Sequence, residues 1–268
     1  MKAKILPFFL FSLSTLFLLS CKKDNVTPAL DKLVAKMIDN NEVTNYTYDT
    51  QRRVIKIETV VADTVKGVKM VYDYSQAGKI IITTQIPAPN PTSFITVDLL
   101  DASGRILSTS SSLPTSNASD SSDVLHYSYN ADGQISGTYQ NSSSGYSNVS
   151  NFTFTSGNLT KIASTIKDKN GVVTATYESD YEVNLNVQNT LDNTHFGQSF
   201  NGIGSKNVIS KNTAISKNNL NGTPTTNTFV TDLTYSVDSD GYIIKVTSVN
   251  SPTNGGASKT YIQSYVYQ

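Results

Sequence analysis

Few residues in this chain could perform hydrolytic or metal-assisted chemistry. The histidines are His126 and His195, and the sequence has neither an H-E-x-x-H motif nor a second cysteine for a zinc site. Asp238 and Asp240 precede Gly241 like the first ligands of a calcium loop, but the distal glutamate of such a loop is missing. We therefore expect each histidine to be an ordinary strand or loop side chain, and residues 238–241 to form a hairpin turn.

Nucleophilic and phosphate-binding motifs are also missing. The sequence has no G-x-S-x-G elbow, and residues 202–206, GIGSK, lack the spacing of a phosphate-binding loop. We expect no cofactor and no catalytic centre. A carboxylate pair such as Asp232 and Asp240 could still act as the acid and base of a glycosidase, because spacing along the chain says nothing about their separation in space.

Tyrosine is the residue whose type and spacing favour binding. The chain has 15 Tyr and no Trp, and several Tyr lie two positions apart. Side chains at i and i+2 of a strand point to the same face, so neighbouring strands would align them in a row. A phenol ring suits wet, polar ligands such as glycans or peptides. The candidate ligand contacts are Tyr46, Tyr72, Tyr127 and Tyr235, although the row could equally be the packed face of a half-buried sheet.

A repeated hairpin pattern positions these tyrosines. Residues 127–135, YSYNADGQI, combine two aromatic residues, a polar turn, a glycine and a returning apolar strand. Asn and Asp bend the chain by bonding to their own backbone, and Gly supplies a positive φ. Other copies are marked by turn glycines at Gly78, Gly104, Gly157 and Gly241, and the first copy has Arg52 in the glycine position.

Consecutive hairpins predict an all-β fold, an antiparallel β-hairpin meander curled into a barrel or partial barrel. The expected strands are 43–49, 53–61, 67–75, 79–86, 93–100, 105–110, 124–129, 134–140, 148–154, 159–166, 172–187, 227–237, 242–249 and 258–267. From 190 to 219 the alternation weakens, which predicts an irregular or short helical excursion packed on the sheet.

One short helix is expected before the first hairpin. In residues 29–40 the apolar side chains fall at helical spacing, Thr27 could cap the helix and Pro28 suits its first position. Such an amphipathic helix would cover an open end or edge of the sheet.

The first 20 residues are typical of an export signal. Lys2 and Lys4 precede an apolar run that is too short for a convincing membrane span. The sequence Leu18-Leu19-Ser20-Cys21 resembles the lipobox of bacterial lipoproteins, which implies cleavage before Cys21 and its acylation, with palmitate as a typical chain. The alternative is an ordinary secretory peptide followed by a free thiol.

The expected organisation is a signal peptide at 1–20, a tether at 21–28 and one β domain at 29–268. The lipid on Cys21 would hold the protein on the cell envelope, and the outer membrane is favoured because no Asp follows Cys21. Lys and Arg number 21, as do Asp and Glu, so the net charge is zero and no basic field attracts nucleic acid. The expected partners are the membrane, through that lipid, and a glycan or protein ligand.

Taken together, the lipobox, the repeated hairpins and the segment GIGSKNVISK before LTYSVDSDGYIIKVT resemble a family of Bacteroidetes lipoproteins of unknown function with a porin-like fold. The resemblance covers about residues 40–268 and implies a many-stranded antiparallel barrel or partial barrel, with no activity. The hairpins are also distantly similar to YD-repeat shells of toxin complexes. A membrane-spanning porin is disfavoured, since stretches such as SGTYQNSSSG are polar on both faces.

Two classes of function remain. One is a non-catalytic envelope lipoprotein that binds a ligand or partner through its tyrosines or loops. The other is a glycan-active hydrolase with an unrecognised carboxylate pair, and a purely structural envelope protein is a further alternative. Two carboxylates facing each other in a cleft would favour the hydrolase, whereas a groove lined by Tyr, Ser and Thr would favour binding.

Overall fold

The computed structural model describes residues 32–61, 65–87, 91–112, 123–142, 144–219 and 224–268. The expected export signal, the tether and Cys21 lie outside these residues. The described residues form β1 (Val34–Asp39), β2 (Glu42–Tyr48), β3 (Val54–Val61), β4 (Val65–Asp73), β5 (Lys79–Ile86), β6 (Thr92–Leu100), β7 (Ile106–Ser112), β8 (Val124–Tyr129), β9 (Ile135–Asn141), β10 (Ser147–Thr155), β11 (Asn158–Lys167), β12 (Val173–Gln188), β13 (Asn207–Asn218), β14 (Thr225–Val237), β15 (Ile243–Pro252) and β16 (Lys259–Tyr267).

These strands form a closed antiparallel barrel in which each strand pairs with its neighbours in sequence. The first and last strands complete the ring, with Lys36 opposite Val266 and Asp39 opposite Gln263. A closed ring leaves no unpaired edge. The prediction of an all-β barrel of hairpins is therefore confirmed. None of the described residues belongs to a helix long and apolar enough to cross a membrane.

Four turns at one end of the barrel share one geometry. Oδ1 of Asp49 accepts hydrogen bonds from the backbone N–H groups of Gln51 and Arg53, each 2.9 Å long. The same pair of bonds recurs at Asp101, Asn130 and Asp238. Gly133 has a φ of 79°, and Arg52 takes the glycine position with a φ of 65°. The expected hairpin turn at 238–241 is therefore confirmed.

Each of these four hairpins, and the β10–β11 hairpin at the same end, also carries a β-bulge beside its turn. The strand register shifts between Thr47/Tyr48, Leu99/Leu100, Ser128/Tyr129, Thr153/Phe154 and Ser236/Val237. A bulge adds one residue to one strand, which bends that strand and increases its twist. Five bulges at the same end of the barrel therefore help to curl the meander into a ring.

The expected N-terminal helix is wrong where the structure describes it, because Val34–Asp39 is strand β1. Val34 is fully buried and Met37 packs against the same core cluster. Over so few residues the apolar pattern fits both a helix and a strand. Backbone pairing with both β2 and β16 stabilises the strand over the helix. The expected helix start at Thr27 and Pro28 lies outside the described residues.

The expected excursion at 190–219 is partly wrong. Its second half is β13, a strand of 12 residues paired with β12 and β14. The irregular part is residues 189–206, which we call the cap, and it includes one turn of 3-10 helix at Ser199–Asn201. Glycines and polar residues interrupt the apolar alternation there. Backbone bonds such as those from Gln198 to Asn193 and from Asn189 to Lys206 hold the segment without forming a strand.

Candidate functional site

The cap fills the end of the barrel that carries the bulged turns. On one side, the N–H of Val34 donates to the carbonyl of His195, and that of Val54 to the carbonyl of Gly197, at 2.9 and 3.1 Å. Backbone bonds on the opposite side join the cap to the β8–β9 and β10–β11 turns, from Ile203 to Gly133 and from Lys206 to Gly157. The cap therefore crosses the end of the barrel and is hydrogen-bonded to its wall on two opposite sides.

Aromatic side chains of the cap form the floor of the lumen. Phe200 is buried, with its ring centroid 6.4 Å from that of Tyr72 and 6.5 Å from that of Tyr74. Phe196 packs against Tyr46 with 5.3 Å between ring centroids. The excursion thus packs on the sheet, as the sequence predicts, and it lies on the inner face of the barrel.

The four candidate contact tyrosines all point into the barrel. Tyr72 is only 8% exposed and belongs to the core, whereas Tyr46, Tyr127 and Tyr235 are half-buried and pack against the core clusters. Tyr235 alone among the four lines a luminal cavity. Packing therefore accounts for Tyr72 and for much of Tyr46 and Tyr127, and a ligand contact stays a prediction best suited to Tyr235.

The luminal cavity lies above the cap, against β12–β16, and has a volume of about 390 Å³. Its lining includes Tyr181, Asn212, Thr231, Tyr235, Gln263 and Tyr265. Among the described residues that line it, none carries a charged side chain. Burial raises the pKa of Tyr235 and of Tyr265 to about 12, so both phenols stay neutral at physiological pH.

A row of polar side chains crosses β12–β15 at one height of the barrel, and three of its four members, Tyr181, Asn212 and Thr231, line this cavity. Strand register places Tyr181 opposite Asn212, Asn212 opposite Thr231, and Thr231 opposite Asn250. The side-chain oxygens Oδ1 of Asn212 and Asn250 are buried and have no hydrogen-bond partner among the described residues. An unpaired buried acceptor is costly, and such groups are usually satisfied by water or by a ligand. Sequence reasoning missed this row, because neither Asn belongs to a motif.

Three further aromatic residues face the lumen farther from the cap. Tyr177, Phe229 and Tyr261 lie in phase with the inward residues of β12, β14 and β16, yet they are 43%, 40% and 43% exposed. Inward-facing rings can be this exposed only if solvent enters the lumen. As far as the described residues go, the barrel is thus filled at the cap end and accessible from the opposite end.

The candidate catalytic residues are not brought together. Asp232 is exposed on β14, and Asp240 lies in a turn where its carboxylate contacts Lys32 at 2.5 Å. His126 stacks with Tyr139, whereas His195 is buried in the cap, with Nδ1 2.7 Å from Oδ1 of Asp192. The described residues contain no group of three or more His, Cys, Asp or Glu side chains able to bind a metal.

One carboxylate is buried inside the barrel. Asp98 is 3% exposed and accepts a hydrogen bond of 2.6 Å from the hydroxyl of Thr109. Desolvation raises the pKa of this carboxyl above its usual range, and the Thr109 bond opposes that shift. It points away from solvent, and its immediate hydrogen-bond partner is a hydroxyl. Asp98 therefore does not supply the open, facing pair that a glycosidase needs.

Solved structures with a similar fold include two porin-like proteins from Bacteroides. The protein from Bacteroides uniformis is 11% identical, with a TM-score of 0.58 over 88% of this chain and 96% of the other. The protein from Bacteroides vulgatus is 13% identical, with a TM-score of 0.54 over 88% and 99% of the two chains. No protein-family model and no curated protein matches this chain. At these identities the likeness concerns the fold, and this chain has a porin-like fold.

Proposed function

We propose that this chain is a cell-envelope lipoprotein that binds a ligand in the lumen of its barrel and carries no catalytic centre. The observation that carries this proposal is the exposure of inward-facing Tyr177, Phe229 and Tyr261 above a packed floor. Aromatic rings kept in contact with water inside a concavity are typical of binding sites.

The filled end of the barrel favours a receptacle over a channel. A channel needs a path between its two ends, whereas here the cap is bonded to the starts of β1 and β3 and to two turns on the other side. Phe200 and Phe196 pack against wall tyrosines beneath the lumen. A ligand would therefore enter and leave through the same opening.

The outer wall favours a barrel surrounded by water. On the outer face of β11–β13, Lys161 forms an ion pair of 2.5 Å with Glu178, and Lys211 forms one of 3.1 Å with Glu182. These charges lie within the strands, in phase opposite to inward residues such as Ile162. A Lys on the lipid face of a spanning barrel costs about 2–4 kcal/mol at mid-bilayer. Membrane attachment is then the role of a lipid on Cys21.

Such an anchor would also orient the barrel. Lys32 bonds to Asp240 in a turn at the cap end, so the chain enters the barrel at that end. The 11 residue steps from Cys21 to Lys32 can span at most about 40 Å. The filled end would face the membrane, and the accessible end of the lumen would face away from it.

A tryptophan reporter tests the luminal site, because the chain has no Trp of its own. Tyr261→Trp places the reporter in the lumen, and Tyr139→Trp places a matched one on the outer wall, since the two tyrosines are 43% and 42% exposed. Fractions of a small-molecule extract from the expressing cells should change the fluorescence of the luminal reporter alone. If every fraction leaves both reporters unchanged, or changes both alike, the barrel has a structural role instead.

A further inference from the structure

The geometry points to an uncharged ligand rich in hydroxyl groups, of the class of neutral sugars, as the occupant of the luminal cavity between β12 and β16. This inference rests on the proposed luminal binding and names the chemistry of what is bound. Three independent properties of the cavity lead to it: its charge, the direction of its hydrogen bonds and its aromatic surface.

The lack of charged side chains among the described residues of the cavity lining disfavours ionic ligands. The described residues lining the cavity include no Lys or Arg to pair with an anion and no Asp or Glu to pair with a cation. The nearby carboxylate of Asp39 already accepts a 3.0 Å hydrogen bond from Nε2 of Gln263. Moving an unpaired ion into such a site costs far more than moving a neutral polar group. A neutral ligand is therefore preferred.

The hydrogen bonds leave a surplus of acceptors. The hydroxyl of Tyr235 donates to the carbonyl of Ile209 at 2.6 Å, and that of Tyr265 donates to Oε1 of Gln263 at 3.0 Å. A phenol whose hydrogen is already donated to a protein acceptor can only accept further hydrogen bonds through its oxygen lone pairs. Asn212 lines the same cavity, and its buried Oδ1 has no hydrogen-bond partner among the described residues. The ligand must therefore supply donors, and hydroxyl groups supply them without charge.

Aromatic and aliphatic surface provides the rest of the fit. The rings of Tyr181, Tyr235 and Tyr265 line the cavity beside Leu233. A sugar ring presents an apolar C–H face together with its hydroxyls, which matches rings that carry a polar tip. The volume of about 390 Å³ lies within the range of small-ligand pockets. Beyond it, the exposed rings of Phe229 and Tyr261 can contact further units of an oligosaccharide.

Calorimetric titration of the purified protein tests the inference. The probes are the neutral oligosaccharides maltotriose, cellotriose and N-acetylchitotriose, each compared with a charged relative such as a uronic-acid trimer or a glucosamine trimer. At least one neutral probe should bind, and its charged relatives should bind at least about tenfold more weakly. Binding of a charged probe alone, or of none of the probes, would overturn the sugar assignment.

A pair of matched variants locates the site. Asn212→Leu removes the unpaired acceptor from the cavity at similar side-chain volume, and Asn148→Leu removes an equally unpaired inward acceptor on β10, outside the cavity lining. Asn212→Leu should weaken sugar binding about tenfold, which corresponds to the loss of one hydrogen bond. Asn148→Leu should leave the affinity unchanged. Thermal unfolding should show that neither variant is destabilised. Equal affinity losses in both would overturn the assignment.

The two levels of proposal fail in different ways. If no neutral sugar binds but a cell-extract fraction still changes the Tyr261→Trp reporter alone, the lumen binds a ligand of another class. If no sugar binds and no extract fraction changes the fluorescence of the Tyr261→Trp reporter alone, the proposal of luminal binding itself fails.

Discussion

The hydroxyl of Tyr48 donates a hydrogen bond of 2.7 Å to the backbone carbonyl of Val34, the residue just before the bulge of β1. The same relationship joins the last tyrosine of a hairpin to the first residue of the preceding strand at Tyr74 and Val54, Tyr129 and Ile106, and Tyr267 and Ile243. A bulge interrupts the ladder of backbone bonds. The second tyrosine of each pair therefore satisfies a carbonyl next to the bulge, which gives Tyr-x-Tyr a structural reason.

Removing one such hydroxyl should destabilise the barrel. Tyr74→Phe keeps the ring and leaves the Val54 carbonyl without its 2.7 Å donor, at a cost of about 1 kcal/mol. Tyr139→Phe, at an exposed outer-wall position, should stay within about 0.5 kcal/mol of the native protein. Urea unfolding of the two variants measures the difference, and equal midpoints would mean that the hydroxyl contributes nothing.

The turn glycines should resist a β-branched side chain. Gly133 has a φ of 79°, and a Cβ there would meet Cδ1 of Ile203 at 3.4 Å. Gly133→Val should therefore cost about 1–3 kcal/mol of unfolding free energy. Ala131→Val adds the same kind of side chain to an exposed position in the same turn and should change little. A melting midpoint for Gly133→Val equal to that of Ala131→Val would contradict the left-handed conformation.

Local patterns predicted the hairpins because their causes are local. Alternating side chains, a turn Asn or Asp and a residue with positive φ define each hairpin within about ten residues, and even Arg52 kept the turn geometry. Closure of the ring could not be predicted in the same way, since it depends on β1 meeting β16 across more than 200 residues. The helix expected at 29–40 was wrong over Val34–Asp39 for the same reason, because pairing with β2 and β16 outweighed a short apolar pattern.

The site was predictable only in part. Tyr235 could be named from its strand pattern, and the structure places it in the cavity. Asn212 and Asn250 were missed, because an unpaired amide oxygen is a property of the register between three strands. Their positions in phase with inward residues were the available signal, and it does not distinguish them from other luminal Asn residues such as Asn148.

Alkaline pH should unfold the protein through its inward tyrosines. Burial raises the pKa of Tyr129, Tyr235 and Tyr267 to about 12, against an unfolded value of about 10. The native state thus holds these protons more tightly, so the stability they contribute is complete below about pH 10 and is lost as the pH rises through about 12. Urea midpoints measured stepwise over this window should fall less steeply for Tyr235→Phe than for the native protein. If the urea midpoints of the two proteins fall equally with pH, the pKa of Tyr235 is not raised by folding.

Cys21→Ser should detach the protein from the membrane. Without the thiol, the lipobox can neither be acylated nor be processed in the lipoprotein manner, so the protein should appear in the soluble fraction or as an uncleaved precursor. Ser20→Ala keeps a small residue before the cysteine and should leave attachment intact. Membrane fractionation with mass determination of the N-terminal peptide measures both. A normally cleaved Cys21→Ser protein in the membrane fraction would refute lipid anchoring.

The seam between β1 and β16 sets the order in which the molecule can assemble. Leu33 and Gln268 exchange backbone hydrogen bonds of 3.1 and 2.9 Å, so the first described residues are secured only after the last strand has emerged. Every other pairing joins strands adjacent in the chain and can form as soon as both strands are available, whereas this one must wait for the largest loop to close. Until then β1 and β15 both expose an edge, and a growing chain is open to pairing with another copy. The proposed lipid on Cys21, if attached before folding, would hold the first strand in place while the last one arrives.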